Sequence, residues 1–222
     1  MIRILITAHD TEVGKTRATA GLARALTDAG QSVQIVKAVQ SGVPCGMPGD
    51  ADWALSTVTN SALASARTLF SFEAPLAPIQ SAEAESKVLS FPMVMDALKR
   101  LPEDCDFQLI EGAGGIAVPL DRSGQDYADL ARELEVDFIL IVIQNRMGAM
   151  NQSRLTYSYA PKSIPAGVIF NQLTLDEDPL VTASNYETLE QLGIPIWGCI
   201  HYNSLDIKNL VSFYDSVAVR SS

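Results

Sequence analysis

Short apolar runs rich in β-branched residues recur along the whole chain. Six of these runs are four to eight residues long and contain little polar alternation, which is typical of strands buried on both faces of a sheet. We therefore predict six buried strands. They cover residues 2–6, 32–36, 107–110, 137–143, 166–170 and 194–200.

The segments between these runs have the pattern of helices. The predicted helices cover residues 15–29, 50–65, 93–101, 125–134, 150–159 and 184–192. Gly30 and Gly193 follow the first and the last of them, where glycine commonly ends a helix. The repeated order of strand and helix predicts an α/β fold, in which a mostly parallel sheet carries helices on both faces.

The longest predicted loop covers residues 72–90, which include Pro75 and Pro78. No repeat and no long Gly/Ser linker interrupts the pattern. A chain of 222 residues is long enough to bury one sizeable core. We therefore expect a single domain over residues 1–222.

The composition excludes several classes of protein. Apolar residues make up 47% of the chain, which excludes a disordered protein. The net charge of −10 and the lack of a basic segment predict no nucleic-acid partner. The longest apolar run has six residues, against about 20 for a membrane span, so we expect no membrane partner. Three scattered cysteines form no CxxC pair and favour the reducing cytoplasm.

A phosphate-binding loop follows the first predicted strand. Residues 7–16 read TAHDTEVGKT and lead into a helix, whose N-terminus and preceding N–H groups suit a triphosphate. Lys15 would contact the β- and γ-phosphates, and the Thr16 hydroxyl would bind Mg²⁺. His9 stands where the strict GxxxxGK[ST] pattern has glycine, and we expect its side chain to point outwards. The loop makes the predicted fold P-loop NTPase-like.

Charged residues lie at the ends of two later strands. Lys37 and Glu111 occupy the carboxyl ends of the second and third predicted strands, where open α/β sheets bind ligands. Glu111 is expected near Thr16 as a second Mg²⁺ ligand. Asp50 is the better helix cap by position, which leaves Asp52 for the metal. Two carboxylates, two lysines and a hydroxyl around one phosphate indicate phosphoryl transfer.

Several segments resemble those of the dethiobiotin synthetase family. HDTEVGKT is similar to the family's TDTEVGKT-type loop, and VKAVQSG is similar to its KPVQSG-type segment. GDADWAL resembles the run that holds the family's metal-binding aspartate. The runs EGAGGIAVPL, MGAMN and GVIFN, at residues 111–120, 147–151 and 167–171, also have counterparts there. These similar runs follow in order from residue 2 to about residue 172.

The resemblance implies an activity and a set of site residues. ATP as co-substrate, CO₂ and 7,8-diaminononanoate would give dethiobiotin, ADP and phosphate, with Mg²⁺ as cofactor. The implied catalytic residues are Lys37, Lys15 and Thr11. The implied nucleotide-binding residues are Glu12, Val13, Gly14, Lys15, Thr16, Glu111, Asn171, His201 and Tyr202. The implied metal ligands are Thr16, Asp52 and Glu111. The implied substrate-binding residues are Thr11, Ser41, Gly114, Gly148 and Asn151, the last two acting across a homodimer interface.

One departure from the family bears on nucleotide selectivity. The run Ile200-His201-Tyr202 stands where the family has a GxIP-type run that helps to enclose the base. Histidine in place of proline frees the backbone and adds an N–H group. We therefore expect a more mobile loop and a discrimination between nucleoside triphosphates below about a hundredfold.

Other functions remain open at this point. An amide ligase resembling cobyrinic acid synthase shares the loop but normally carries a glutaminase domain, for which this chain has no room. An ATPase switch of the MinD or ParA type has a signature lysine early in the loop, where this chain has Asp10. A degenerate nucleotide-binding module is disfavoured by the presence of Lys15, Lys37 and Glu111.

Overall fold

The structure, a computed structural model, describes residues 1–210, Phe213 and Val217. Eight strands in this part of the chain form one sheet, in the order β3-β2-β4-β1-β5-β6-β7-β8. The strands are β1 Ile2–Ala8, β2 Val33–Ser41, β3 Ala64–Phe72, β4 Phe107–Glu111, β5 Phe138–Gln144, β6 Ala166–Asn171, β7 Ile196–Ile200 and β8 Ile207–Lys208. Neighbouring strands are parallel except β7 and β8, which are antiparallel.

Helices cover both faces of the sheet. They are α1 Lys15–Asp28, α2 Asp50–Ser56, α3 Pro78–Ala84, α4 Phe91–Lys99, α5 Tyr127–Glu133, α6 Ala149–Tyr159 and α7 Pro179–Gln191. Helices α1 and α2 pack on one face with Ile4 and Ile6, and α3 to α7 pack on the other face with Leu5. Because both faces are buried, the central strand β5 is apolar at nearly every position. The α/β fold predicted from the pattern is confirmed.

Several segments differ from the prediction, which did not include β8 and began the last helix at residue 184 and not at Pro179. The predicted helix over 50–65 ends at Ser56, and β3 follows a short 3-10 helix at Ser61–Leu63. Strand β3 lies at the edge of the sheet and pairs with β2 alone, so its small and polar residues did not give the apolar signal of a buried strand. The predicted loop over 72–90 contains α3, which begins at Pro78, a favoured first residue of a helix.

The strand order determines where ligands can bind. Strand β4 lies between β1 and β2, so the ends of these three strands lie side by side at the carboxyl edge of the sheet. In the register of the sheet, Glu111 is paired with Ile6 on one side and with Lys37 on the other. Strands β2, β3 and β4 lie on one side of β1, and β5 to β8 lie on its other side. The chain therefore changes direction across the sheet beside β1, and such a change creates a crevice that commonly binds ligands. No helix in the described part of the chain is long and apolar enough to cross a membrane.

A glycine in β6 allows close packing of an aromatic ring. A Cβ atom at Gly167 would lie 2.2 Å from Cδ2 of Trp197, and Trp197 packs edge-on against Phe138 with ring centroids 6.0 Å apart. We predict that Gly167→Ala lowers the free energy of unfolding by about 1–3 kcal/mol, the usual cost of overpacking. Denaturant unfolding measures this cost. The Trp197→Leu background should reduce it, and an equal cost in both backgrounds would contradict the proposed clash.

Candidate functional site

The loop between β1 and α1 has the geometry of a phosphate-binding loop. Gly14 caps α1 in the left-handed region at φ 97°, and Glu12 also has positive φ, at 57°. A Cβ at Gly14 would lie 2.0 Å from the side-chain nitrogen of Asn171, so this position requires glycine. Ala8, in contrast, is a buried strand residue whose φ is not positive, and no glycine is needed there.

Lys15 begins α1 and points back into this loop. Its side chain is buried, and Nζ donates a hydrogen bond to the carbonyl oxygen of Asp10 at 2.8 Å. Burial, and then the nearby charge of Lys37, lower the pKa of Lys15 to about 8. A phosphate bound in the loop would supply the negative charge that favours the protonated form. The site is therefore suited to an anion at this point.

The carboxylate of Glu111 is the centre of a buried polar cluster. Glu111 is 1% exposed, and Oε1 accepts hydrogen bonds from the hydroxyl of Thr16 at 2.8 Å and from Nζ of Lys37 at 2.7 Å. Oε2 accepts a hydrogen bond from the hydroxyl of Thr19 at 2.8 Å. Both oxygens of this buried charge are thus satisfied. The cluster brings together β4, β2 and α1.

Lys37 uses three acceptors around its ammonium group. Besides Glu111, Nζ contacts Oδ2 of Asp50 at 2.6 Å and the carbonyl oxygen of Gly112 at 3.2 Å. Burial opposes the charge, but Glu111 and Asp50 outweigh it, so the pKa of Lys37 is raised above its usual value. Lys37 is therefore held in its charged form at neutral pH.

The structure exchanges the expected roles of the two aspartates at the start of α2. Gly49 is the N-cap, and its N–H group donates to Oδ2 of Asp52 at 2.9 Å. The N–H group of Asp50 donates to the side-chain oxygen of Gln40 at 3.0 Å, while its carboxylate turns towards Lys37. The prediction that Asp50 caps the helix is therefore wrong, because Asp52 takes that role, and the assignment of Asp52 to the metal stays a prediction. Asp52 is an exposed capping residue, and Asp50 belongs to the cluster.

The oxygen atoms of the cluster suit a divalent cation. Asp50, Glu111 and Thr16 offer two carboxylates and a hydroxyl, which are hard ligands of the kind that Mg²⁺ prefers. The ammonium of Lys37 already bridges the two carboxylates, which shows that this position accepts positive charge. The described residues contain no group of three or more His, Cys, Asp and Glu side chains that could hold a metal. A cation here would need further oxygens from a ligand or water, as Mg²⁺ usually takes from phosphates.

Two neighbouring cavities open beside the cluster. One, of about 630 Å³, is lined by the phosphate loop, Lys37, Asp50 and Glu111. The other, of about 960 Å³, extends from the loop to α6. Thr11, Ser41 and Gly114 line both of them. The predicted nucleotide-binding and substrate-binding residues of this part of the chain therefore lie at one site.

The residues that line the larger cavity differ from those predicted in two ways. His9 lines it and is half-buried, so the predicted outward orientation is wrong. Burial lowers the pKa of the His9 imidazole. The cavity reaches the second half of α6, where Thr156 and Tyr159 line it. Gly148 and Asn151, at the start of α6, are exposed and line none of the cavities described here.

The residues predicted near the base do not form one group. Asn171 is fully buried below the phosphate loop, and its Nδ2 donates to the carbonyl oxygen of Val13 at 2.8 Å. Its Oδ1 is buried and has no hydrogen-bond partner. Tyr202 is exposed, and His201 lines a separate cavity of about 90 Å³. The sequence analysis missed Arg17, whose guanidinium contacts the loop at His201 and which no motif singles out.

Comparison with known proteins gives a consistent result. The family described as an AAA domain matches residues 2–207. The ATP-dependent dethiobiotin synthetase BioD of Bacillus subtilis (strain 168) is 36% identical over 201 residues, which are 87% of this chain and 84% of that protein. The protein of the same name from Anaeromyxobacter sp. (strain Fw109-5) is 34% identical over 192 residues, which are 86% of this chain and 85% of that protein.

Solved structures share the fold at low sequence identity. The ParA family ATPase from Chlorobium tepidum TLS has a TM-score of 0.55 and 15% identity, covering 91% of this chain and 84% of that chain. A chain of the MinC:MinD cell division protein complex from Aquifex aeolicus has a TM-score of 0.53 and 16% identity, covering all of this chain and 89% of that chain. These likenesses confirm the P-loop NTPase-like fold. The sequence relatives are much more similar, with 34% and 36% identity over most of the chain. The chain belongs to the ATP-dependent dethiobiotin synthetase family.

Proposed function

We propose that this chain closes the ureido ring of dethiobiotin from 7,8-diaminononanoate, CO₂ and ATP, as the names of its relatives suggest. The observation that carries the mechanism is the permanent cation Lys37, which lies between Glu111 and Asp50 beside the phosphate loop. A carbamate is a poor electrophile until its oxygen is phosphorylated. A fixed positive charge at the acceptor oxygen offsets the negative charge that gathers there.

The bonds change in two steps. A carbamate formed from CO₂ and one amine of the substrate accepts the γ-phosphoryl group on an oxygen, and ADP leaves. The second amine then attacks the carbamate carbon. A C–N bond forms, the C–O bond to phosphate breaks, phosphate leaves, and the amine proton passes to solvent. No other reactant is needed.

The phosphate loop is proposed to hold the nucleotide. Residues Glu12 to Thr16 would surround the phosphates, and Lys15 would pair with the transferred group, as its environment already favours an anion. Asn171 would contact the base through Oδ1, because Nδ2 is already bonded to Val13. Oδ1 is an acceptor, so it fits an exocyclic amino group such as that of adenine and opposes the carbonyl oxygen of guanine.

Mg²⁺ is proposed to be held by Thr16, Glu111 and Asp50, with Asp50 in place of the expected Asp52. When bound, Mg²⁺ would neutralise charge on the phosphate oxygens. Lys37 has three N–H donors, and all of them have acceptors in this structure. To contact a carbamate it must exchange one acceptor. Asp50 is the more exposed of the two carboxylates, since 35% of its side-chain surface is exposed against 2% for Glu111. We propose that Asp50 is the partner that Lys37 releases.

The larger cavity is proposed to hold the diamine, with Thr11, Ser41 and the Gly114 backbone near its amines. We propose a homodimer, in which Gly148 and Asn151 bind the substrate carboxylate of the other subunit. Their exposure at the start of α6 supports a contact outside their own chain. Met147 and Leu155 expose 75% and 63% of their surface on the same segment, which supports an interface there. The three free cysteines suit the cytoplasm as the site of the reaction.

ADP release with and without the diamine and bicarbonate tests the proposed function. We expect release to depend on both compounds. Lys37→Ala should lose turnover by at least about a thousandfold and bind ADP with an affinity close to that of the parent protein, because Lys37 acts on the acceptor and not on the base. Lys37→Arg should also fail, since a planar fork does not replace a compact ammonium in this buried position.

The ADP affinity is also the control for folding, because removal of Lys37 leaves Glu111 without its cation. Release of ADP that ignores the diamine would contradict the proposal and favour an ATPase switch. An unchanged kcat in Lys37→Ala with weaker ADP binding would make Lys37 a nucleotide ligand.

A matched pair of variants tests the assignment of the metal ligand. Asp50→Asn should raise the Mg²⁺ concentration needed for half-maximal turnover by about tenfold or more, because it removes one charged ligand. Asp52→Asn, two residues away, should leave this concentration within about twofold, because Asp52 only caps α2. Titration of Mg²⁺ at saturating ATP measures both. The reverse order of effects would restore Asp52 as the ligand.

Mixing of inactive variants tests the shared site. Lys37→Ala and Asn151→Asp should each be inactive as homodimers. If Asn151 serves the partner's site, each heterodimer regains one intact site, so an equal mixture should recover about a quarter of the parental activity. No recovery after subunit exchange, or an active monomer in sedimentation at micromolar concentration, would contradict the proposal.

A further inference from the structure

We infer that Arg17 is a positioning residue that fixes the base-binding side of the nucleotide site and thereby sets nucleotide affinity and selectivity. The inference rests on the proposed function for one point only, namely that the base lies beside residues 171–173 and 201–204. The contacts themselves are observed in this chain. Arg17 acts through these two loops and is not proposed to touch the reacting atoms.

Arg17 connects α1 to two separate loops. Nη2 donates to the carbonyl oxygen of His201 at 3.0 Å and to that of Ser204 at 2.7 Å, both in the loop between β7 and β8. Nη1 donates to the carbonyl oxygen of Gln172 at 3.3 Å, in the loop after β6. One guanidinium therefore holds three carbonyl groups. Its planar, rigid shape makes it suited to this task.

The position of Arg17 links these loops to the phosphate loop. It follows Lys15 and Thr16 in the first turn of α1, and like them it lines the smaller cavity. Leu173, next to Gln172, lines the same cavity. Arg17 thus connects the region beside the phosphate loop to both loops beyond it, and it adds to the link between Asn171 and Val13.

The described residues give the loop at 201–204 few other hydrogen bonds to the rest of the chain, and its continuation is held mainly by Leu205, which packs against the core. Tyr202 is partly exposed, and Ser204 donates from its N–H group to His201 within the loop itself. One backbone hydrogen bond, from Gln172 N to the carbonyl oxygen of Ile200 at 2.9 Å, connects its start to the neighbouring loop. Strand β8, at its end, has only two residues. Loss of the arginine would leave this loop with few fixed contacts.

This arrangement changes the expectation for selectivity. Replacement of the family's proline by His201 predicts a freer loop, but Arg17 holds the same backbone at the carbonyl of His201. Selectivity between bases requires that polar groups around the wrong base stay unpaired, which a fixed wall enforces and a mobile wall does not. We therefore assign to Arg17, a side chain of α1, the restraint on this loop that the proline provides in the family.

Two ligands separate this role from a direct contact with phosphate. ADP reports on the base and the phosphates together, whereas inorganic tripolyphosphate reports on the phosphate loop alone. Arg17→Gln should weaken ADP binding by about tenfold or more and leave tripolyphosphate binding within about twofold, because only the loops lose their donors. The same variant should lower the ratio of kcat/KM for ATP over GTP by about tenfold, through KM and not through kcat.

Two further variants complete the experiment. Arg24→Gln removes an arginine from the same helix, where its side chain forms a long ion pair of 3.9 Å with Asp206, outside residues 201–204, and should leave both affinities unchanged. Arg17→Lys keeps the charge without the fork and should bind ADP with intermediate affinity. Arg17→Lys also serves as the test variant if Arg17→Gln does not fold.

The possible results are distinct. An equal loss of ADP and tripolyphosphate binding would make Arg17 a phosphate ligand and overturn the inference. Unchanged ADP binding in both Arg17 variants would overturn it as well. The ADP and tripolyphosphate binding measurements need no diamine. A failure of ring closure in the parent protein would therefore refute the proposed function and would still leave the two binding results to test the role of Arg17.

Discussion

A single buried carboxylate organises the site. Glu111 is almost completely buried, and a charge in that position is tolerated only when it is paired and fully hydrogen-bonded. Its partners are Lys37 on β2 and two threonine hydroxyls on α1. The requirement to satisfy one charge therefore fixes β2 and α1 relative to β4. The phosphate loop, which leads into α1, is positioned by the same requirement.

The balance of charges in this cluster explains why it is suited to catalysis. Two lysines and two carboxylates in one place are stable here because each offsets another, and the pKa shifts of the lysines have opposite directions. Lys37 is held in its charged form by the carboxylates, whereas Lys15 has a lowered pKa and no carboxylate of the described residues in contact with it. The nucleotide would supply the missing anion to Lys15. A site with one satisfied and one unsatisfied cation is prepared for a phosphate before it arrives.

The fold and the centre of the site follow from local sequence patterns, but some features do not. The apolar strands and the GKT turn are local signals, and they were sufficient for the α/β fold and for Lys15, Lys37 and Glu111. Strand β3 is an edge strand with a weak signal. The predicted continuation of α2 to Ser65 is wrong, because the residues after Ser56 are mostly Thr, Ser, Val and Asn, which favour helices weakly.

The roles of Asp50 and Asp52 depend on contacts distant in sequence. The side chain of Gln40 binds the first N–H group of α2 and thus decides which aspartate faces Lys37. Arg17 is a similar case, since its three acceptors lie more than 150 residues away along the chain. A pattern within one segment carries no information about such partners. Residues of this kind are found only when the elements are assembled.

The central claim is that the γ-phosphoryl group passes to a carbamate oxygen beside Lys37. Turnover with ¹⁸O-labelled bicarbonate in unlabelled water, sampled before the label exchanges, tests this most directly by mass spectrometry of the released phosphate. We expect one ¹⁸O atom in each phosphate and one in the ureido carbonyl of the product. Phosphate without ¹⁸O would show that the γ-phosphoryl group passed to water and would contradict transfer to a carbamate.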